Sequence, residues 1–171
     1  SDDEVIMSEA TWMASAASVC YLNAKPVFVD ILRDTWCIDP EKIKEAISPK
    51  TKAIVVTHLY GGVCEMDEIM KVAKEYNIPV IEDAAQAIGS EYKGQKVGSI
   101  ADIGCFSFHG TKTITTGEGG MLVMNDEHLF SRAKILSDHG RDPKVKKMFW
   151  CEEIGYKYKM SNLQAALGLA Q

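Results

Sequence analysis

Short apolar runs alternate with amphipathic stretches along the chain. Val5-Ile6-Met7, residues 25–30 (KPVFVD) and residues 53–58 (AIVVTH) are brief, apolar and rich in β-branched side chains, which predicts strands. Residues 78–83, 103–108 and 120–124 read the same way. Between them lie helical patterns. Residues 39–47 begin with Asp39 at the N-cap and Pro40 at the first helical position. Residues 66–76 place Ile69, Val72, Ala73 and Tyr76 on one face. Residues 161–171 start at Ser161, a residue suited to an N-cap, with apolar positions every three to four residues. Near-continuous apolar strands separated by helices predict an α/β fold, with a mostly parallel sheet flanked by helices and buried on both faces. No internal repeat or low-complexity stretch interrupts the alternation, and residues 144–147, after Pro143, read as a solvated loop.

Composition narrows the picture without redirecting it. The chain has 171 residues, enough for one domain with a sizeable core; 46% are hydrophobic and 25% charged. Nineteen basic against 24 acidic residues give a net charge of −5, which argues against a nucleic-acid partner. No apolar run is long enough for a membrane span, and no signal peptide is visible at the start. The five cysteines (Cys20, Cys37, Cys64, Cys105, Cys151) include no CxxC pair, so buried free thiols in a reducing, cytoplasmic setting are expected, and no metal site. Ser1-Asp2-Asp3-Glu4 runs straight into a strand, and the last helix stops in mid-pattern. Both ends suggest a piece of a longer protein.

Ligands of an open parallel sheet collect at the carboxyl ends of its strands. The polar residues there are His58, Asp83, Gln86, Ser107, His109 and Lys112. A carboxylate such as Asp83, closing an apolar strand, needs a partner; it faces a ligand or caps the segment that follows. Lys112 follows the strand Phe106-Ser107-Phe108. It is either an ordinary loop lysine or a partly desolvated amine able to attack a carbonyl. Three glycines, Gly117, Gly119 and Gly120, follow closely and permit close backbone approach. The stretch has neither the GK[ST] of a P-loop nor GxGxxG. Pyridoxal phosphate (PLP) needs a lysine for its Schiff base, an acid facing the pyridinium nitrogen and donors for its phosphate. Lys112, Asp83 and Ser107 can fill those roles. His58 and His109 read equally as structural hydrogen-bonding groups or cofactor contacts, and Glu118 as a loop carboxylate near a cation.

Residues 82–87 (EDAAQA), 98–112 (GSIADIGCFSFHGTK) and 116–120 (TGEGG) together resemble the DegT–StrS family of sugar aminotransferases. Residues 4–12, 24–30 and 155–162 match the same family in the same order, so the resemblance covers essentially the whole chain. It implies a fold-type I PLP aminotransferase, a cytoplasmic homodimer whose whole members are more than twice as long. Residues 1–171 would be the central part of its large, PLP-binding domain, with an N-terminal segment and the C-terminal small domain missing. By this resemblance Lys112 matches the lysine that bonds the cofactor and moves the substrate proton. Asp83 matches the carboxylate paired with the ring nitrogen, Gln86 the residue that hydrogen-bonds the ring hydroxyl, and Ser107 a phosphate donor. Trp12 matches the aromatic that stacks on the ring, with a core tryptophan as the alternative. Lys159 lies in the segment that reaches the partner subunit's phosphate in relatives.

Two departures qualify the match. Ser8 stands where relatives often carry proline, so the turn into Thr11-Trp12 is expected to differ. Some relatives replace the lysine with histidine and act as sugar dehydratases, whereas Lys112 favours transamination. Within the family, residues 58–61 and 112–120 resemble perosamine synthases most. That implies transfer of an amino group, usually from glutamate, to the C4 keto group of a nucleotide-linked keto-deoxy sugar, for lipopolysaccharide or another polysaccharide. A PLP-dependent sugar dehydratase and a non-catalytic cofactor- or sugar-binding regulator stand as alternatives, and the fragment alone is expected to lack part of the active site.

Overall fold

The apolar runs form strands close to their predicted bounds across residues 2–171, the part of the chain that this computed structural model describes. In order these are β1 (Glu4–Ser8), β2 (Lys25–Val29), β3 (Thr51–Thr57), β4 (Val80–Asp83), β5 (Glu91–Tyr92), β6 (Gln95–Lys96), β7 (Ile103–Ser107) and β8 (Gly120–Val123). The helices are α1 (Met13–Tyr21), α2 (Pro40–Ala46), α3 (Met66–Tyr76), α4 (Glu127–Ser137) and α5 (Asn162–Leu169). Local chemistry sets several of their ends. The Asp39 carboxylate accepts from the Glu41 N–H at the start of α2. Ser161 and Gln164 form a reciprocal capping box on α5. Asn77, with φ at 53°, ends α3 in the left-handed conformation.

The main sheet has the order β2-β1-β3-β4-β7-β8. Its first five strands run parallel, and β8 pairs antiparallel with β7. From β1 the chain moves outward to β2 on one side; from β3 it moves to β4 on the other. The connections therefore diverge between β1 and β3, and a crevice opens there at the strands' carboxyl ends. Strand alternation divides the core. Ile6, Ile54, Val56 and Val80 pack with Ile43 of α2 and Met66, Ile69 and Val72 of α3. Met7, Val55 and Ile81 face the other way, toward Val19 and Ala16 of α1.

Several sequence expectations need correcting. The sheet is not buried on both faces throughout: Met121 and Leu122 on the edge strand β8 are about half exposed, since an edge strand has a neighbour on one side only. Tyr76 sits in the last turn of α3 and points largely into solvent, while Met66 at the other end completes the buried stripe. Cys37 and Cys64 are buried as expected, but Cys20 and Cys151 are exposed. The Cys64 thiol donates to the Thr57 carbonyl at 3.2 Å, and Cys37, 27 positions away in sequence, lies beside it in the core. The neighbouring Cys37 and burial push the Cys64 thiol's pKa up. The helices α1 and α4 and the β5–β6 hairpin had no counterpart in the pattern. Helix α1 (MASAASVCY) is nearly uniformly small or apolar and shows no period. The α4 signal was present, because Asp126 caps it by accepting from the Leu129 N–H. Lys93 and Gly94, both at positive φ, make the hairpin turn. Residues 144–147 are loop, as expected, and Lys147 lies over the Trp150 ring.

Candidate active site

A cavity of about 1090 Å³ opens at the carboxyl ends of the parallel strands. Such a volume holds a cofactor-sized ligand with a substrate beside it. Asp83, Gln86, Ser107 and Lys112 all line it, as does Trp12. Five of the six residues singled out in the sequence are thus brought together. The sixth, Lys159, is not among the lining residues; it is exposed, and its ammonium pairs with Asp138 at 3.2 Å. Arg141 and Lys159 hold the Asp138 carboxyl below its ordinary pKa.

Asp83 is the last residue of β4 and is half-buried. One carboxylate oxygen accepts the Ala85 N–H at 3.1 Å; the other accepts the Ser15 hydroxyl at 2.7 Å. These bonds fix the plane of the group and leave lone pairs for a ligand. The helix-cap reading of Asp83 falls, because a turn and not a helix follows β4 and the Ala85 bond only closes that turn; the carboxylate still lines the cavity. Gln86 follows in the next turn. Its side-chain oxygen accepts the Tyr60 N–H at 2.9 Å, so the NH₂ end is the one left for a ligand. Tyr60 itself has φ at 51° and is exposed at the cavity rim.

Ser107 ends β7, where its oxygen accepts the His109 N–H at 3.3 Å and its own proton remains available. Lys112 lies in the turn beyond, its backbone N–H bonded to the His109 carbonyl. Among the described residues, nothing hydrogen-bonds or ion-pairs its ammonium. Trp12 precedes α1 and is 73% exposed, so it is a cavity-edge aromatic and not a core tryptophan. His109 is tied into its own loop by Thr111 at 3.1 Å and lies 3.7 Å from Glu118. The Gly-rich stretch does not line the cavity. Its glycines serve local needs: a Cβ on Gly119 would meet Thr116 and Met160 at 2.7 Å, and Gly117 has φ at 79°. The Ser8 departure is absorbed locally, because its hydroxyl accepts the Ala10 N–H and rebuilds the turn.

Beneath the cavity, on the other sheet face, lies a feature the sequence reading missed. Glu82 is fully buried and accepts four hydrogen bonds: from the backbone N–H groups of Gly98, Ile100 and Ala101, and from His58 Nε2 at 3.0 Å. His58 Nδ1 accepts the Cys64 N–H, so the ring's proton sits on Nε2 and is donated to Glu82. Burial pushes the Glu82 carboxyl upward, but the His58 and backbone donors outweigh it and hold its pKa below the usual value. His58 is therefore structural and does not line the cavity. The carboxylate at a buried strand position was a visible signal; its partners, 16 to 24 residues away, were not. Hydroxyls missed in the sequence also line the cavity: Thr11 bonds Thr57 at 3.0 Å, and Ser15 bonds Asp83.

Comparison with known proteins identifies the family and the fold. The family model described as "DegT/DnrJ/EryC1/StrS aminotransferase family" matches residues 1–171. The chain is 48% identical over 169 residues to GDP-perosamine synthase of Caulobacter vibrioides, covering 99% of this chain and 45% of that protein. Among solved structures, an aminotransferase from Psychrobacter cryohalolentis superposes with a TM-score of 0.94 at 43% identity, over 100% of this chain and 46% of that one. A Streptococcus pneumoniae chain assigned as a sugar aminotransferase, in its PLP-form, superposes with a TM-score of 0.88 at 36% identity, over 98% of this chain and 48% of that one. The chain thus spans about half the length of the curated relatives it matches. No helix among the described residues is long and apolar enough to cross a membrane.

Proposed function

This chain belongs to the DegT/DnrJ/EryC1/StrS aminotransferase family, and we propose that its whole protein transfers an amino group from glutamate to the C4 keto carbon of a nucleotide-linked keto-deoxy sugar, with PLP as cofactor. The observation that carries this reading is the convergence of Lys112, Asp83, Gln86 and Ser107 on one cavity. The donor set fits PLP. Asp83 offers an anchored anion for a ring nitrogen, Gln86 an oriented NH₂ for a ring hydroxyl, and Ser107 a hydroxyl proton for a phosphate. Trp12 offers an exposed aromatic face at the rim for stacking. Lys112 supplies the one amine in the lining, unencumbered by any carboxylate.

Bound there, PLP would supply an electron sink for the carbon that loses its proton. The chain's own residues do the rest. Asp83 keeps a proton on the ring nitrogen by holding a negative charge against it. Lys112 would be the residue that attaches the cofactor and, when free, its amine would carry the proton between the donor's carbon and the cofactor carbon on the far side of the shared nitrogen. Gln86 and Ser107 would hold the ring hydroxyl and the phosphate through the donors that their own bonds leave available. Identity with GDP-perosamine synthase supports a GDP-linked 4-keto-6-deoxy sugar and a role in polysaccharide biosynthesis. A lysine at 112, not a histidine, supports transamination over dehydration.

We further propose a homodimer. Phe149, Ile154 and Leu163 are at least 81% exposed, an apolar surface of the kind a second subunit covers. Lys159 then serves the partner's phosphate, and Asp138 holds it ready. Residues 1–171 would be part of the PLP-binding large domain. Five free thiols support a cytoplasmic setting.

The whole protein, given PLP, glutamate and the keto sugar, is expected to form an amino sugar and one equivalent of 2-oxoglutarate. A deoxy sugar with glutamate unspent, or no product from a PLP-loaded protein, would overturn the reading.

A further inference from the structure

We infer that Ser15 is a positioning residue for the cofactor: its hydroxyl orients the Asp83 carboxylate that would pair with the ring nitrogen, and ties α1 to β4. The inference rests on the proposed PLP reading and concerns a residue outside the set that reading uses.

Ser15 lies in the first turn of α1, three residues after Trp12. Its hydroxyl is 2.7 Å from an Asp83 oxygen, and a carboxylate can only accept, so Ser15 is the donor. With its single proton committed there, Ser15 can only accept from Thr11, 3.5 Å away. Thr11 in turn lies 3.0 Å from the Thr57 hydroxyl. Thr57 ends β3 and is the cross-strand neighbour of Asp83. The three hydroxyls thus stitch the start of α1 to the ends of β3 and β4, across the divergence between β1 and β3.

Two consequences follow. First, Asp83 is held at both oxygens, by Ala85 N–H and by Ser15. Without Ser15 one oxygen loses its only protein donor and the carboxylate can turn about the remaining bond. Second, the link ties the uncapped first turn of α1 to the end of β4, while packing of Ala16 and Val19 on Met7 and Val55 holds the helix, and Trp12 with it, when the hydroxyl is removed. A hydrogen bond to a charged acceptor is stronger than a neutral one and loses most when the geometry slips.

The test is PLP affinity of the whole protein, compared with 1-deaza-PLP, which has carbon in place of the ring nitrogen and cannot pair with Asp83. Ser15→Ala is expected to weaken PLP binding about tenfold and to leave 1-deaza-PLP binding within about twofold of the parent, the pattern of a coupled pair. Ser15→Thr, which keeps the hydroxyl, is expected to restore PLP binding. Alanine favours helix, so the variant is expected to fold; Ser15→Cys, a weak donor, should give an intermediate loss. Equal losses for both ligands would reduce Ser15 to a packing role and overturn the inference, as would unchanged PLP affinity. A parent protein that binds neither ligand would instead sink the PLP reading itself.

Discussion

Adjacent carboxylates on β4 meet opposite surroundings. Asp83 points to the α1 side, where the cavity opens, with two donors and spare lone pairs. Glu82 points to the α3 side and is saturated by four donors. One residue of register separates a ligand-facing group from a structural one. Cys105, the cross-strand neighbour of Asp83, shows the reach of those charges. Burial first, then the Asp83 and Glu82 charges, push its thiol from 9.0 up to about 11. At pH 8 that lowers its thiolate fraction about 100-fold. Iodoacetamide followed by peptide mapping is expected to label Cys105 at least that much more slowly in the folded protein than after denaturation. Equal rates would contradict the burial of Cys105 and the raised pKa that follows from it. At this scale the sequence was informative where a polar residue ends an apolar strand, as at Asp83, Ser107 and Lys112. It was silent on Ser15 and Tyr60, whose roles depend on partners 68 and 26 residues away.

Among elements, the loop after the β5–β6 hairpin matters most to the site. Residues 98–101 fold under β4 and give Glu82 three N–H groups. The fit is close: a Cβ on Gly104 of β7 would fall 1.9 Å from the Gly98 carbonyl oxygen, a clash with backbone. This staple holds β4 beside β7, and thereby Asp83 beside Ser107 and Lys112. Its pH signature follows from the lowered Glu82 pKa. The unfolded chain takes up the proton near the ordinary value of 4.5, the folded chain only below it. The stabilisation is therefore complete above about pH 4.5 and is lost as the pH falls through the folded value. Glu82→Gln is expected to cost about 2–4 kcal/mol at pH 7, read by urea unfolding, and to flatten the fall in stability on the acid side. A variant with the parent's acid slope would place the titration elsewhere. Strands β1, β3 and β4 were legible because burial on both faces writes continuous apolar runs. Helix α1 was not, because its small residues pack without a period.

At the scale of the molecule, one divergence in a parallel sheet gathers five residues spread from position 12 to position 112. Order along the chain tells little of this; topology does the gathering, and the family motifs mark the same positions because those strand ends open on the cavity. Ile154 and Leu163 stay exposed at this scale, on the apolar surface offered above to a second subunit. The account's central claim is that Lys112 is the cofactor lysine of this cavity. The most direct measurement is borohydride reduction of the PLP-supplied whole protein, then peptide mass mapping. A pyridoxyl mass on Lys112 and on no other lysine is the expected result. A folded, PLP-supplied protein with Lys112 unmodified would contradict it.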